Sequence, residues 1–318
     1  MSKNVLLIGG GGTLGGYTAA ELLKRGFSAD VICLEKRGSF LKNLHFITAK
    51  ADDRLLEQLL SEKHYDVIID FLHYVDTKFY EKRAQLLLEN TDQLIFLSSY
   101  RVYANEETPI RETSPLLYDV IKDPAFFAGE TYAVPKTVNE RFLRRSGYQN
   151  YTIVRPLISF SHYRLDLICT GASALLFRRG KDQPILLPEQ ARHLTAGLNW
   201  AGDAGKLFAC LAGNEKALGE TYTLGVAENK SWEEVAGIYH RLLGNEFVWG
   251  STEEYRKTFN DPYYFYYDRL FDRRIDDTKI MEATGLTHAD FAGIEEGLRR
   301  ELLYFSEHPE EAERFRPR

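Results

Sequence analysis

Apolar and polar positions follow two rhythms through the first half of the chain. Short apolar runs at 5–8, 29–34, 45–48, 67–69, 94–97 and 151–154 have the length of buried strands. Between them, residues 14–25, 53–62, 77–89 and 132–145 place apolar side chains at helical spacing. Strands alternating with helices pair in parallel through right-handed crossovers. The pattern therefore predicts an α/β fold with a doubly wound parallel sheet. Such a sheet takes its ligand at the C-terminal strand ends, where the strand order reverses.

The first strand runs straight into Gly9-Gly10-Gly11-Gly12-Thr13-Leu14-Gly15, which opens the first helix. Glycines here permit a tight turn, close backbone approach to a phosphate, and close packing of helix on strand. The helix N-terminus adds unpaired N–H groups and a partial positive charge, a setting that stabilises a pyrophosphate. The second strand ends at Glu35-Lys36-Arg37. An acid some twenty residues past such a turn accepts hydrogen bonds from a ribose 2′-hydroxyl, which favours NAD. Lys36 and Arg37 would equally suit a 2′-phosphate, so NADP stays open.

Composition narrows the class further. With 318 residues, 44% hydrophobic and 27% charged, the chain can bury one large core plus a smaller lobe. A net charge of −6 and the lack of a basic stripe argue against nucleic acid and anionic membrane as partners. Cys33, Cys169 and Cys210 are few and widely spaced; they offer no disulfide framework and no metal site, which fits a cytoplasmic protein. No apolar stretch has the length of a signal-peptide core or a membrane span.

A second group of residues carries chemistry. Tyr132 and Lys136, four apart at the start of a helical pattern, share one face. An ammonium beside a phenol favours the phenolate and lowers a tyrosine pKa from its usual value of about 10. Tyr132 can then take a hydroxyl proton while hydride leaves the same carbon. A serine at the end of a neighbouring strand, in Ser98-Ser99, can hold the reacting oxygen. Pro135 lies in the first helical turn, where its missing N–H does little harm.

Together, the G-x-x-G-x-x-G spacing of Gly9, Gly12 and Gly15, the strand-end Ser-Ser, the Tyr132-x-x-x-Lys136 pair and the strand-end Arg155-Pro156 resemble the extended short-chain dehydrogenase/reductases, the NAD-dependent epimerase/dehydratase family. The resemblance is good over roughly the first 160 residues. It implies a Rossmann-like domain over residues 1–160 and a smaller α+β substrate lobe over residues 161–318, with segments that return to the sheet. It also implies a Ser99–Tyr132–Lys136 triad. The cofactor would lie against Gly9, Gly12, Thr13, Leu14, Gly15, Glu35, Lys36, Arg37, Phe71, Leu72, Tyr132, Lys136 and Pro156. A homodimer through the helices at 77–89 and 132–145 is implied as well.

Several positions depart from the family. Its third strand ends in Gly-Asp, the Asp facing the adenine, whereas here the matching pair is Ala49-Lys50. Asp53 is expected to cap the next helix; a two-residue slip would instead bring Asp52 to the adenine. The dehydratases carry Asp-Glu after the catalytic serine, and the decarboxylases keep the Glu. This chain has Tyr100-Arg101, which turns expectation away from both reactions and places Tyr100 against substrate. His73 is read as structural.

The second half diverges after Pro156. A helical pattern is read from 165 to 179, then a strand at 185–187. Arg192 is the candidate diphosphate clamp of a nucleotide-sugar substrate, since its planar fork suits paired phosphate oxygens. Asp203 is expected to cap or pack a helix. Residues 219–224 read as a strand, and Ser231-Trp232-Glu233-Glu234 as a capping-box helix start. The aromatic run Asp261-Pro262-Tyr263-Tyr264-Phe265-Tyr266-Tyr267 is assigned to core or subunit contact rather than to a pocket. The tail from 307 to 318 is expected to fray. The leading expectation is a nucleotide-sugar epimerase or reductase. Its rival is a dinucleotide-bound protein without catalysis, binding RNA or sensing redox state.

Overall fold

The computed structural model describes residues 3–178, 180–259 and 262–317. The chain begins β1 (Asn4–Ile8), α1 (Thr13–Lys24), β2 (Ser28–Cys33), β3 (Leu44–Thr48) and α2 (Asp53–Glu62). It continues through β4 (Tyr65–Asp70), α3 (Thr77–Glu89) and β5 (Thr91–Leu97); the helix Ala133–Arg145 then leads into β6 (Tyr151–Pro156). All six strands fall where the apolar runs place them. They join the later strand Thr221–Leu224 in one seven-stranded parallel sheet, ordered Thr221–Leu224, β6, β5, β4, β1, β2, β3. The order reverses between β1 and β4, so the cleft opens above the glycine turn.

The apolar content of the central strands follows from being covered on both faces. Every residue of β6 and all but the first of β1 are buried. Helix Ala201–Leu211 packs beside α1 on one face; α3 and helix Ala133–Arg145 cover the other. At the edge, β3 is only half-covered.

Local chemistry sets the helix starts. Asp52 caps α2 by accepting the Leu55 N–H at 2.9 Å, so the cap is one residue earlier than expected. Asp53 is instead free to pair with Arg83, at 2.6 Å. The capping box at Ser231 and Glu234 forms as the sequence implies. Asp203 is fully buried and accepts the N–H groups of Ala292 and Gly293 at 3.0 and 2.8 Å. It thereby tethers the start of helix Gly293–Glu307.

The second half supplies two corrections and one addition. Residues 165–178 do not form one helix: a hairpin of Asp166–Leu167 with Thr170–Gly171 precedes a short helix, Ala172–Phe177. Gly171, with no side chain to pack, sits at that hinge, and Arg179 lies outside the described residues. The tail is not frayed either. It forms the helix Pro309–Glu313, after which Phe315 packs on Phe305 and Arg316 lies over Phe177. The aromatic run, of which Asp261 lies outside the described residues, passes into a π-helical turn, Phe265–Arg269. Such turns are frequent at functional sites.

Candidate active site

Two cavities open at the C-terminal strand ends. The glycine-side cavity, about 610 Å³, is lined by Gly9, Gly11, Gly12, Leu34, Glu35, Ala49–Asp53, Leu72, Phe79 and Arg83 among others. The phenol-side cavity, about 220 Å³, is lined by Thr13, Leu14, Leu97–Arg101, Tyr132, Pro156–Ser159, Arg164, Tyr264, Asp268 and Arg269. The glycine turn contributes to both.

The turn has a shape that only glycines permit. Gly9 has φ +72°, and a Cβ on Gly15 would lie 2.2 Å from the Gly10 carbonyl oxygen. Beside Gly12 there is open space, and Gly12 begins α1 with no side-chain cap. The start of α1 thus borders the cavities with no side-chain cap on its N–H groups, which fits a pyrophosphate. Glu35 reaches the turn, close to Gly11, and Arg37 donates to the Gly11 carbonyl at 2.8 Å. Lys36 is exposed. Lys50, Asp52 and Asp53 all line the glycine-side cavity, the first two flanking Ala51.

On the phenol side, Ser98 and Ser99 separate cleanly. Ser98 Oγ donates to Glu140 Oε1 at 2.5 Å, and Glu140 is held bidentately by buried Arg155 at 2.9 and 2.5 Å. Burial pushes the Glu140 carboxyl up, but Arg155 and Ser98 more than reverse this and hold it below its ordinary range. Ser98 is thus part of the scaffold. Ser99 Oγ accepts the Arg101 N–H at 3.2 Å and borders the cavity.

Tyr132 immediately precedes its helix. Its own N–H and that of Ala133 donate to Glu130 Oε1 at 2.6 and 2.8 Å. Its ring lies between neighbours: the Arg101 guanidinium 4.7 Å from the ring centre, and the His73 ring 4.9 Å away. His73 also bonds the Thr131 carbonyl at 2.9 Å, so its place is structural support for the phenol. Burial, then the nearby Lys136 ammonium, hold the His73 pKa below its ordinary value.

Lys136 is buried and borders neither cavity directly. Its Nζ donates to the carbonyls of Leu72, at 3.2 Å, and Leu97, residues that border the glycine-side and phenol-side cavities respectively. Burial pushes its pKa down to about 8, against the opposing pull of Asp70 and Glu140. Asp70, fully buried, accepts from Leu72 N–H at 3.0 Å and Tyr74 Oη at 2.8 Å.

Not every expected residue meets the cavities. Phe71 packs on Phe208, with ring centres 5.4 Å apart, and only its main chain runs beside the turn. Arg192 pairs with Glu233 at 2.6 Å and lies over Trp249, away from both linings. Tyr100 does border the phenol-side cavity; its hydroxyl donates to Asp268 at 2.5 Å and accepts from Arg269 at 2.9 Å.

The arginines at this site are others. Arg101, Arg164 and Arg269 line it, with Arg273 behind, and Asp166, Asp268 and Glu130 face them. Burial raises the Asp268 carboxyl above its ordinary value, while Arg273 and Arg101 oppose the shift. The assignment of the aromatic run to core is only half right. Tyr263 and Tyr267 pack on Phe126, but Tyr264 lines the cavity beside Asp268 and Arg269. No spacing in the sequence connects these residues to Tyr132; the π-helical turn brings them there.

Among the described residues no helix is long and apolar enough to cross a membrane, and no group of acidic, histidine and cysteine side chains could hold a metal.

The family model described as the NAD dependent epimerase/dehydratase family matches residues 5–193. The chain belongs to that family. It is therefore an NAD-dependent enzyme of the extended short-chain dehydrogenase/reductase type. A curated relative, the UDP-N-acetyl-alpha-D-glucosaminuronate decarboxylase of Bacillus cytotoxicus, is 24% identical, covering 96% of this chain and 99% of its own. The fold is shared with an epimerase of Methanothermobacter thermautotrophicus, at a TM-score of 0.73 and 16% identity over 98% of this chain and 95% of that one. It is shared too with the Bordetella bronchiseptica enzyme WbmG, solved with NAD and UDP, at 0.70 and 15% over 97% and 96%.

Proposed function

We propose that this enzyme is a nucleotide-sugar epimerase or reductase acting at a secondary alcohol. Tyr132 is the acid/base, Ser99 holds the reacting oxygen, and Lys136 supplies the nearby positive charge. What carries this reading is a single juxtaposition: Ser99 and Tyr132 border one cavity with Thr13 and Leu14 of the glycine turn. Bound there, the nicotinamide cofactor would supply the hydride acceptor.

Gly9, Gly12 and the start of α1 take the pyrophosphate, and Glu35 the adenosine ribose. The engagement of Arg37 with the Gly11 carbonyl supports NAD over NADP. Residues 1–160 hold the cofactor and residues 161–318 mainly the substrate. The UDP named for two relatives supports a UDP-sugar. Its diphosphate would be met by Arg164 or Arg269 rather than Arg192. The three free cysteines and the family resemblance support a cytoplasmic homodimer.

The chain's own residues divide the work. The Ser99 hydroxyl donates to the sugar oxygen as charge develops on it. Tyr132 Oη takes the sugar hydroxyl's proton and returns it when the ketone is reduced again. In Tyr132→Phe, NAD⁺ binding should persist while turnover of UDP-hexoses falls about 10²–10⁴-fold. Undiminished turnover in that variant sinks the assignment. Nucleotide that stays with the protein through gel filtration favours the epimerase, which regenerates its cofactor each cycle.

A second reading is favoured by the arginines. Arg164 and Arg269 at the phenol-side cavity suit the carboxylate of a UDP-hexuronic acid, the substrate class named for the curated relative. Release of CO₂ from such a substrate would select decarboxylation over epimerisation.

A further inference from the structure

Glu130 has no part in the triad, yet three groups around Tyr132 converge on it. It is buried, 4% exposed, and its two oxygens do different things. Oε1 accepts the N–H groups of Tyr132 and Ala133, at 2.6 and 2.8 Å, closing the start of the helix in place of a cap from Tyr132 itself. Oε2 accepts from Arg101 Nη2 at 3.2 Å. The same guanidinium lies over the Tyr132 ring at 4.7 Å and over the Tyr264 ring, from the C-terminal half, at 4.8 Å. One carboxylate thus fixes both the backbone that carries the phenol and the cation that covers its face.

Both contacts have a physical consequence. Tyr132 stands at the head of its helix, with φ −118° and ψ −63°, and lines the phenol-side cavity together with Arg164. Without the Glu130 cap, two N–H groups at that bend would lose their partner. A guanidinium within about 6 Å of a ring centre is attracted to its face, more strongly where water is excluded. Arg101 has only 12% of its side chain exposed, and its ionic contacts with Glu130 at 3.2 Å and, more weakly, Asp268 at 3.9 Å keep it from swinging out.

We propose that Glu130 and Arg101 form a clamp that sets the direction of the Tyr132 phenol, with Tyr264 as its outer plate. Both are positioning residues, acting through Tyr132 and not on the substrate. Through Tyr264, the clamp ties the phenol to the π-helical turn of the substrate side. The inference rests on Tyr132 being the acid/base.

The test uses the full chain with NAD⁺ bound, carrying ¹³Cζ-labelled tyrosine, the Tyr132 signal being assigned through Tyr132→Phe. Glu130→Gln keeps an oxygen for the two N–H groups but turns an amide toward Arg101. Arg101→Met removes the cation, and Arg101→Lys keeps one. In Glu130→Gln and Arg101→Met, the Tyr132 and Tyr264 signals should move while the other tyrosine signals stay. With UDP-hexoses and UDP-hexuronic acids as probes, kcat should fall about 10²-fold with KM within about twofold, as expected of a misaimed group. Arg101→Lys should recover to within about tenfold of the unaltered enzyme.

An unmoved Tyr132 signal in Arg101→Met overturns the clamp, as does a lysine variant no better than the methionine one. Should no probe turn over, the spectra alone decide. Turnover that survives Tyr132→Phe instead removes the acid/base reading, whereas turnover abolished by Tyr132→Phe but untouched by Glu130→Gln removes only the clamp.

Discussion

The two cavities are built by different means. The glycine-side cavity is lined by short neighbouring stretches, 9–12, 32–35 and 49–53, with Leu72, Phe79 and Arg83 closing it. Its parts are strand ends and the turns that follow them, and glycine supplies its floor: a Cβ on Gly9 or Gly11 would collide with Leu72 or Cys33, while Gly12 leaves open space. The phenol-side cavity draws on residues from Thr13 to Arg269, and its far wall is a web of buried charges held by hydrogen bonds. Main-chain geometry makes a general holder for a dinucleotide. Side-chain networks make a particular pocket, and each member depends on the rest being in place.

That contrast predicts a large and one-sided effect for Asp268→Asn. Asp268 holds Arg269 at 2.5 Å and Arg273 at 3.2 Å, all three buried. Removing its charge leaves the buried Arg273 guanidinium without an ionic partner and Arg269 with Asp166 alone, at a cost of about 3–5 kcal/mol. Chemical denaturation should show this loss, while titration with NAD⁺ changes its affinity by less than about threefold, since the residues proposed to anchor the cofactor lie on the glycine side. An equal collapse of NAD⁺ binding would mean that the two cavities are one cooperative unit.

Lys136 spans the boundary and gives an intermediate effect. Its pKa is about 8 in the folded protein, against 10.5 for an ordinary lysine. Between those values the unfolded chain binds the proton and the folded chain does not. Stability from this group therefore rises as pH climbs from about 8 to about 10.5, by up to about 3 kcal/mol. Below pH 8 the burial penalty is carried in full. Thermal unfolding of the cofactor-free protein across this window, compared with Lys136→Met, checks the sign: the difference between the two should shift in the wild type's favour as pH rises. A shift the other way contradicts the burial seen here.

The smallest effect belongs to Arg192→Ala. Arg192 is one-third exposed and paired with the exposed Glu233 and Glu189, so its loss should leave stability nearly unchanged. UDP affinity, measured by calorimetry, should change less than about twofold. A tenfold loss would return Arg192 to the substrate site and displace Arg164 and Arg269 from it.

The difference between the cavities also governs how much could be read from the chain alone. The strands, the crossovers and the glycine turn announce themselves through periodicity, because burial on both faces of a parallel strand demands continuous apolar residues. Tyr132 and Lys136 are legible because four residues make one helical turn. The resemblance already points to Ser99; what Ser98 does instead needs Glu140, whose approach to Ser98 crosses from helix Ala133–Arg145 to β5. Asp52 and Asp53 show the limit at its smallest: the two are adjacent and chemically alike, and only the bonds to Leu55 and Arg83 separate cap from ion pair.

Sequence by itself determined the strands and crossovers of the sheet, the glycine turn at the head of α1 and the helical spacing of Tyr132 and Lys136. Each of these depends on neighbours within a turn or a strand, where spacing dictates geometry. Tertiary structure decided which arginines face the reacting centre, that Tyr264 and Asp268 join it, and that Glu130 and Arg101 grip Tyr132. Those contacts join positions far apart in the chain. Their formation depends on how a π-helical turn packs against the sheet, which no local pattern of residues encodes.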